Sequence, residues 1–235
     1  MFVNAFGGEA SVNGYRLMGV FVAGLLVVGT LGAYFGTANA PEHAVETAAG
    51  SFAEQLRIVG QSREFRMLLA TFIVQALAIS ALLAGVAYVA KDLLNNPGAA
   101  TPLFVAFVGP AIIVTPLWER YARTRSKRSG YFMASGFLIV GMLLLFIIYF
   151  GPTPLVYVAA AIIGIGYAGT QSFPMAMLPD VAAHDAQLSG ENRVGVFTGI
   201  WTAGETAGFA MGPGFFALIL AIGGYTSTTA SESVF

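Results

Sequence analysis

Six stretches of this chain are apolar over lengths that only a lipid bilayer calls for. They run approximately Tyr15–Phe35, Met67–Ala90, Pro102–Trp118, Tyr131–Phe150, Leu155–Phe173 and Val194–Gly223. A hydrocarbon core about 30 Å thick takes roughly 20 helical residues, with about 17 to 25 the working range. Inside it every backbone N–H and C=O must be satisfied by the protein, which leaves helices and closed barrels. Barrel strands alternate in and out over about 10 residues, whereas "GMLLLFIIYF" and "VAAAIIGIGYAG" are unbroken apolar runs. The expected fold class is therefore all-α: a polytopic membrane bundle of six transmembrane helices. Composition agrees, with 57% hydrophobic and 10% charged residues and a mean hydropathy of +0.75, where a soluble domain carries about 25% charged residues. With 11 cations against 12 acids, no basic excess points to nucleic acid. The chain has no cysteine, which excludes disulfides, thiolate metal sites and thiol catalysis.

The sides of the membrane follow from the cations, because short cytoplasmic loops retain Lys and Arg. Alternate connections hold Arg57, Arg63 and Arg66, then Arg120, Arg123, Arg125, Lys127 and Arg128, then Arg193. With these connections inside, nine of the eleven cations are cytoplasmic, and only Arg16 and Lys91 lie opposite. Both termini then face outward. An outside start with no signal, and a tail "GGYTSTTASESVF" with no returning helix, lead us to expect a fragment of a longer transporter.

Two connections do more than link. Residues 37–50, "TANAPEHAVETAAG", read as a solvated linker, with His43 of no special role. Beyond it, Ser51 and Glu54 form a capping box, and Phe52, Leu56 and Val59 recur at helical spacing. A helix is expected there, either lying along the cytoplasmic surface with its apolar side toward lipid or the bundle, or serving as a plain connector. In "WERYARTRSKRSGY" the cations suffice to fix topology; the alternative is that Arg120 or Arg123 also pairs with an acid on a neighbouring loop as a gate. "PMAMLPDVAAHDAQLSGENRVG" places Asp180, Asp185 and Glu191 close to Arg193. Pro179 is expected to stop the preceding helix there, and Ser189-Gly190 to make a turn. His184 reads as a solvated loop residue, with a pH sensor as the alternative.

One ionisable residue sits in the middle of a span. Glu205 follows Val194 by eleven residues, roughly 16 Å along a helix, where a charge costs about 2.5 to 3.5 kcal/mol and so faces a bundle interior or water. It is the leading site candidate; interhelical glue is the alternative. Thr198, Trp201 and Thr202 share its broad helix face. Trp201 is either a stacking platform for a sugar ring or simple packing. Gln75 and Gln171 either line a cavity or join helices. Glycines at 195, 199, 204, 208 and 212 permit close helix approach. Gly212-Pro213-Gly214, Gly109-Pro110 and Pro116 are expected to break or bend their helices. Broken helices with a central acid and amides describe a transporter. One Glu without a nearby His or second acid does not make an enzyme.

The stretch "SFPMAMLPDVAAHDAQLSGENRVGVFTGIWTAGETAGFAMGP" resembles the tenth and eleventh helices of the glycoside-pentoside-hexuronide:cation symporters, the melibiose permease-like branch of the major facilitator superfamily. Met177 to Asp180, the acids that follow and the spacing of Gly190 to Arg193 carry the resemblance, with "EQLRIVGQSREFRMLLA" similar to the family's central loop. It implies that the six spans are helices six to eleven of a twelve-helix cation-coupled carrier of sugars or related polar solutes. Residues 1–36 are then the last helix of the N-terminal bundle, 37–66 a cytoplasmic central loop with an amphipathic helix, and 67–235 the C-terminal bundle with five spans and its final helix missing. The resemblance also implies a gating role for Asp180 and Arg193, and a location in a plasma membrane, that of a bacterial inner membrane. The partners implied are a small-molecule solute, the lipid bilayer and the missing N-terminal bundle; no resident cofactor is expected beyond a coupling proton or sodium ion. The chain departs from the family at Gly195, where an acid is common, and at Ala207, near which sugar carriers often have a lysine. A carrier of a lysolipid or drug, and a non-transporting membrane remnant or assembly protein, are the alternatives.

Overall fold

The protein's structure, a computed structural model, describes residues 12–38, 51–148, 153–191 and 193–225, without the side chains of residues 12–15, 52 and 153. His43 with most of its polar linker, Tyr149 and Phe150, Asn192 and the tail beyond Tyr225 lie outside the described residues. Among the described residues all regular structure is helical. Six helices are long and apolar enough to cross a membrane: Arg16–Thr37, Arg63–Leu93, Pro97–Thr124, Lys127–Ile148, Val156–Ser189 and Val194–Ile222. They correspond one for one to the six expected spans.

The chain divides into two compact units, Met1–Thr47 and Ala48–Phe235. The first contains α1 (Val12–Thr37), apolar around its whole circumference from Leu17 to Phe35, the pattern of a helix meant for lipid or for a partner surface rather than for water.

The second unit begins with α2 (Phe52–Gln61), capped by Ser51, whose hydroxyl accepts from the Glu54 N–H. Val59 turns inward and is buried, while Leu56 stays exposed. Val59 joins the buried cluster that includes Phe65 and Phe197. Ser62, extended, ends α2 and caps α3 (Arg63–Tyr88) through the Phe65 N–H. A π-helical turn, Val89–Leu93, extends α3. The remaining helices are α4 (Ala100–Thr124), α5 (Lys127–Ile148), α6 (Val156–Ser189) and α7 (Val194–Ile222). Helix starts and stops alternate, so the cation-rich connections gather at one end, the basic end.

One finding differs from expectation. Pro179 does not stop its helix: α6 runs on to Ser189 and ends at Gly190, whose φ of +72° is the left-handed cap that a glycine accepts freely. Its 34 residues span about 51 Å, so its last turns project beyond a 30 Å core. Of the break or bend expected at Pro110, Pro116 and Pro213, the break does not occur: α4 and α7 run through them. A proline removes one hydrogen bond, a loss the rest of a long packed helix can carry. For Pro179 the packing is Leu178 and Ala182, buried with Val59, Phe65, Val196 and Phe197 in the core of the basic end.

A second core, Ala111, Trp118, Ala134, Ala168 and Phe173, joins α4, α5 and α6. A third, Ala90, Ala99, Leu103, Ile148, Val156 and Ala159, closes the opposite end. Small residues make this packing possible. A Cβ on Gly166 would lie 2.6 Å from the Leu138 backbone nitrogen, and one on Gly212 would lie 2.5 Å from Ser80 Cβ. Gly204 and Gly208 likewise face α3, but Gly195 and Gly199 have nothing within 4 Å. The outer faces are as apolar as the cores, with Val74 68% and Ile113 73% exposed, the pattern of helices surrounded by lipid rather than water.

Candidate functional site

The expected site residues separate into a core group, a polar middle and a charged end. Trp201 belongs to the core. It is 1% exposed and stacks on Phe72 with centroids 4.2 Å apart, so neither ring face is open to a solute, and its indole N–H has no acceptor. Thr198 and Thr202 turn away from it and are exposed. Their hydroxyls donate to Val194 and Thr198 carbonyls of their own helix, leaving only acceptor lone pairs for a ligand. The helix face shared in the sequence is thus split by the packing of α7 on α3.

Glu205 is half-buried at the edge of that packed face. Gly204 and Gly208 on either side of it lie against Ile73 and Ala76, which places Glu205 at the level of Gln75. On α6, Tyr167 is tilted against Phe107 at 5.2 Å.

Gln75 and Gln171 come together. Gln75 Nε2 donates to the Thr170 carbonyl at 2.9 Å and to Gln171 Oε1 at 3.4 Å, and Gln75 Oε1 accepts from the Tyr131 hydroxyl at 3.0 Å. Three helices, α3, α5 and α6, meet in this network. Tyr131 escaped the sequence reading because it stands at the edge of a span, where aromatics are commonly interfacial anchors.

At the basic end, Asp180 pairs with Lys127 (Nζ to Oδ2, 2.6 Å), and the same ammonium donates to the Ala176 carbonyl at 2.9 Å. In the sequence Lys127 reads only as a topogenic cation. Arg120 and Arg123, for which pairing with an acid is the alternative to a topogenic role, form no ion pair among the described residues. Arg193 donates to Glu191 at 2.9 Å and stands 3.9 Å from Asp185, whose buried Oδ2 accepts no hydrogen bond. The Asp185–Arg193 pair is therefore within ion-pair range but unclosed. His184 lies exposed on α6.

Toward the opposite end a cavity of about 350 Å³ opens between α3, α4 and α6, lined by apolar side chains such as Leu82, Val86, Phe104 and Ile163. None of the expected site residues lines it. Its outer edge is aromatic: Tyr88 meets Phe216 at 5.2 Å and Tyr225 at 5.5 Å, and the Tyr225 hydroxyl donates to Asp92 at 2.7 Å. That hydrogen bond pushes the Tyr225 phenol above its ordinary pKa.

The chain matches the family described as "MFS/sugar transport protein" over residues 1–235. Comparison with curated proteins and with solved structures gave no match. The chain belongs to the MFS/sugar transport protein family, and with its six apolar helices it is an integral membrane protein of a transporter family.

Proposed function

We propose that the chain works in cation-coupled symport of sugars or related polar solutes by alternating access, in a bacterial inner membrane with the basic end cytoplasmic. The observation that carries this is Glu205, an acid held half-buried about 16 Å into α7, level with the Gln75–Gln171–Tyr131 network. A carboxylate at mid-membrane is costly and is retained where it handles a cation or solute. Its role is to take the coupling proton or sodium ion, while Thr198, Thr202 and Gln171 offer oxygens and an amide to solute hydroxyls. Rocking against a facing bundle, the N-terminal bundle that the resemblance implies, exposes this level to each side in turn. Lys127–Asp180 and Arg193 with Asp185 and Glu191 form the cytoplasmic gate, whose pairs break and re-form as the basic end moves.

The test is Glu205→Gln in ion-gradient-driven uptake of a labelled sugar panel. We expect coupled accumulation to fall at least tenfold with downhill exchange retained. Unchanged coupled accumulation would sink the role of Glu205. The apolar cavity favours a second reading, a carrier of an amphipathic solute such as a lysolipid, whose chain needs apolar walls. Inhibition of sugar uptake by lysolipid, or uptake of lysolipid in its place, decides between them.

A further inference from the structure

A proline has no N–H to give the carbonyl four residues before it, and in hydrocarbon a bare carbonyl is expensive. Five prolines stand inside helices here: Pro110 and Pro116 in α4, Pro174 and Pro179 in α6, and Pro213 in α7. The carbonyls they free are those of Ala106, Ile112, Thr170, Met175 and Phe209. Two of these receive a side chain from another helix. Gln75 Nε2 donates to Thr170, the carbonyl freed by Pro174, at 2.9 Å; Ser80 Oγ donates to Phe209, the carbonyl freed by Pro213, at 2.6 Å. Both donors stand on α3, five residues apart. Among the described residues no side chain donates to the carbonyls of Ala106, Ile112 or Met175.

The aim of these two side chains is specific. A hydroxyl in a helix usually turns back on its own carbonyl four residues before, as those of Thr71, Thr115, Ser135 and Ser172 do. Ser80 instead reaches across to α7, at the point where Gly212 lets the two helices touch. Gln75 is oriented by Tyr131, which occupies its carbonyl and leaves the amide N–H₂ for α6.

We propose that Gln75 and Ser80 are positioning residues of the transport cycle, paired clasps by which α3 holds α6 and α7 at their proline hinges. This rests on the transport reading only for its timing, not for the clasps themselves. A helix that has lost a rung bends there at low cost. With the lost rung replaced by a bond to α3, bending must break the clasp or carry α3 along. The hinges serve opposite ends. Pro174 lies three residues beyond Gln171 toward the basic end, so the Gln75 clasp governs the part of α6 that carries Asp180 and Asp185. Pro213 lies eight residues beyond Glu205 toward the other end, so the Ser80 clasp governs the part of α7 that carries Phe216 over the cavity. Releasing one clasp while holding the other opens one end at a time.

The chain has no native cysteine, so Ala160→Cys, a cavity-lining position, gives a clean reporter. Maleimide labelling rate and thermal midpoint are measured on the 235-residue chain in nanodiscs. Ser80→Ala should speed labelling severalfold and lower the midpoint by several degrees. In a Pro213→Ala background, where the Phe209 carbonyl regains a backbone donor, Ser80→Ala should change neither. Equal effects in both backgrounds would overturn the clasp, and a coupled midpoint with unchanged labelling would overturn the hinge. Should Pro213→Ala fail to fold, the cycle of Gln75→Leu with Pro174→Ala reads the midpoint coupling, and non-additivity is required there too. None of these readouts is uptake, so a failure of the symport reading stays separate.

Discussion

Trp201 and Thr202 are neighbours in sequence with opposite fates. Trp201 is enclosed by Phe72 and the basic-end core, whereas Thr202 is exposed. Truncating a buried Trp costs about 3–5 kcal/mol, and an exposed Thr costs within about 0.5 kcal/mol. Trp201→Ala should therefore lower the unfolding midpoint of the purified chain sharply, and Thr202→Ala should leave it in place. A Trp201→Ala chain as stable as the parent would contradict the core assignment. The sequence placed both on one helix face, and at 100° per residue that is correct; it does not say where α3 will press, and the glycines at 204, 208 and 212 that steer the contact do so by what they lack. The polar middle was half legible in the same way. Gln75, Gln171 and Glu205 stand out as polar groups in apolar runs. Tyr131, which bonds Gln75, Ser80, which bonds the Phe209 carbonyl, and Lys127, which pairs with Asp180, do not, because an interfacial Tyr, a helical Ser and a loop Lys each have an ordinary explanation.

Among the elements, α6 shows what proline arithmetic leaves out. Pro179 reads as a stop when the helix is taken alone, and as a tolerated interruption once Leu178 and Ala182 are buried on either side of it. The turn at Ser189-Gly190 was legible, because a glycine after a polar run is a helix terminator by its own conformational freedom. Helix α7 offers an internal comparison. Gly212→Ala would drive a methyl against Ser80 and the Ala81 nitrogen at 2.5 to 2.7 Å, and overpacking of this kind costs about 1–3 kcal/mol. Gly199→Ala meets nothing within 4 Å and should gain up to about 1 kcal/mol of helix propensity. Opposite shifts in the thermal midpoint are expected, and equal shifts would mean that α3 and α7 are not in contact along this seam.

For the molecule as a whole, six spans and their alternation were legible because bilayer thickness sets a length that no other environment requires. The relation between the spans was not, since lipid-facing and protein-facing surfaces of α3 to α7 are equally apolar: Val74 and Phe72 differ in exposure, not in chemistry. Membership of the MFS/sugar transport protein family agrees with that architecture. The central claim is that solute movement is driven by an ion gradient through the level of Glu205. Its most direct measurement is accumulation of labelled sugars in sealed vesicles carrying the protein, with proton and sodium gradients imposed separately. The account predicts concentrative uptake under one of the two gradients, collapsing when an ionophore dissipates it. Uptake that is indifferent to both gradients, or none of any sugar tested while the protein is folded in the vesicle, would contradict it.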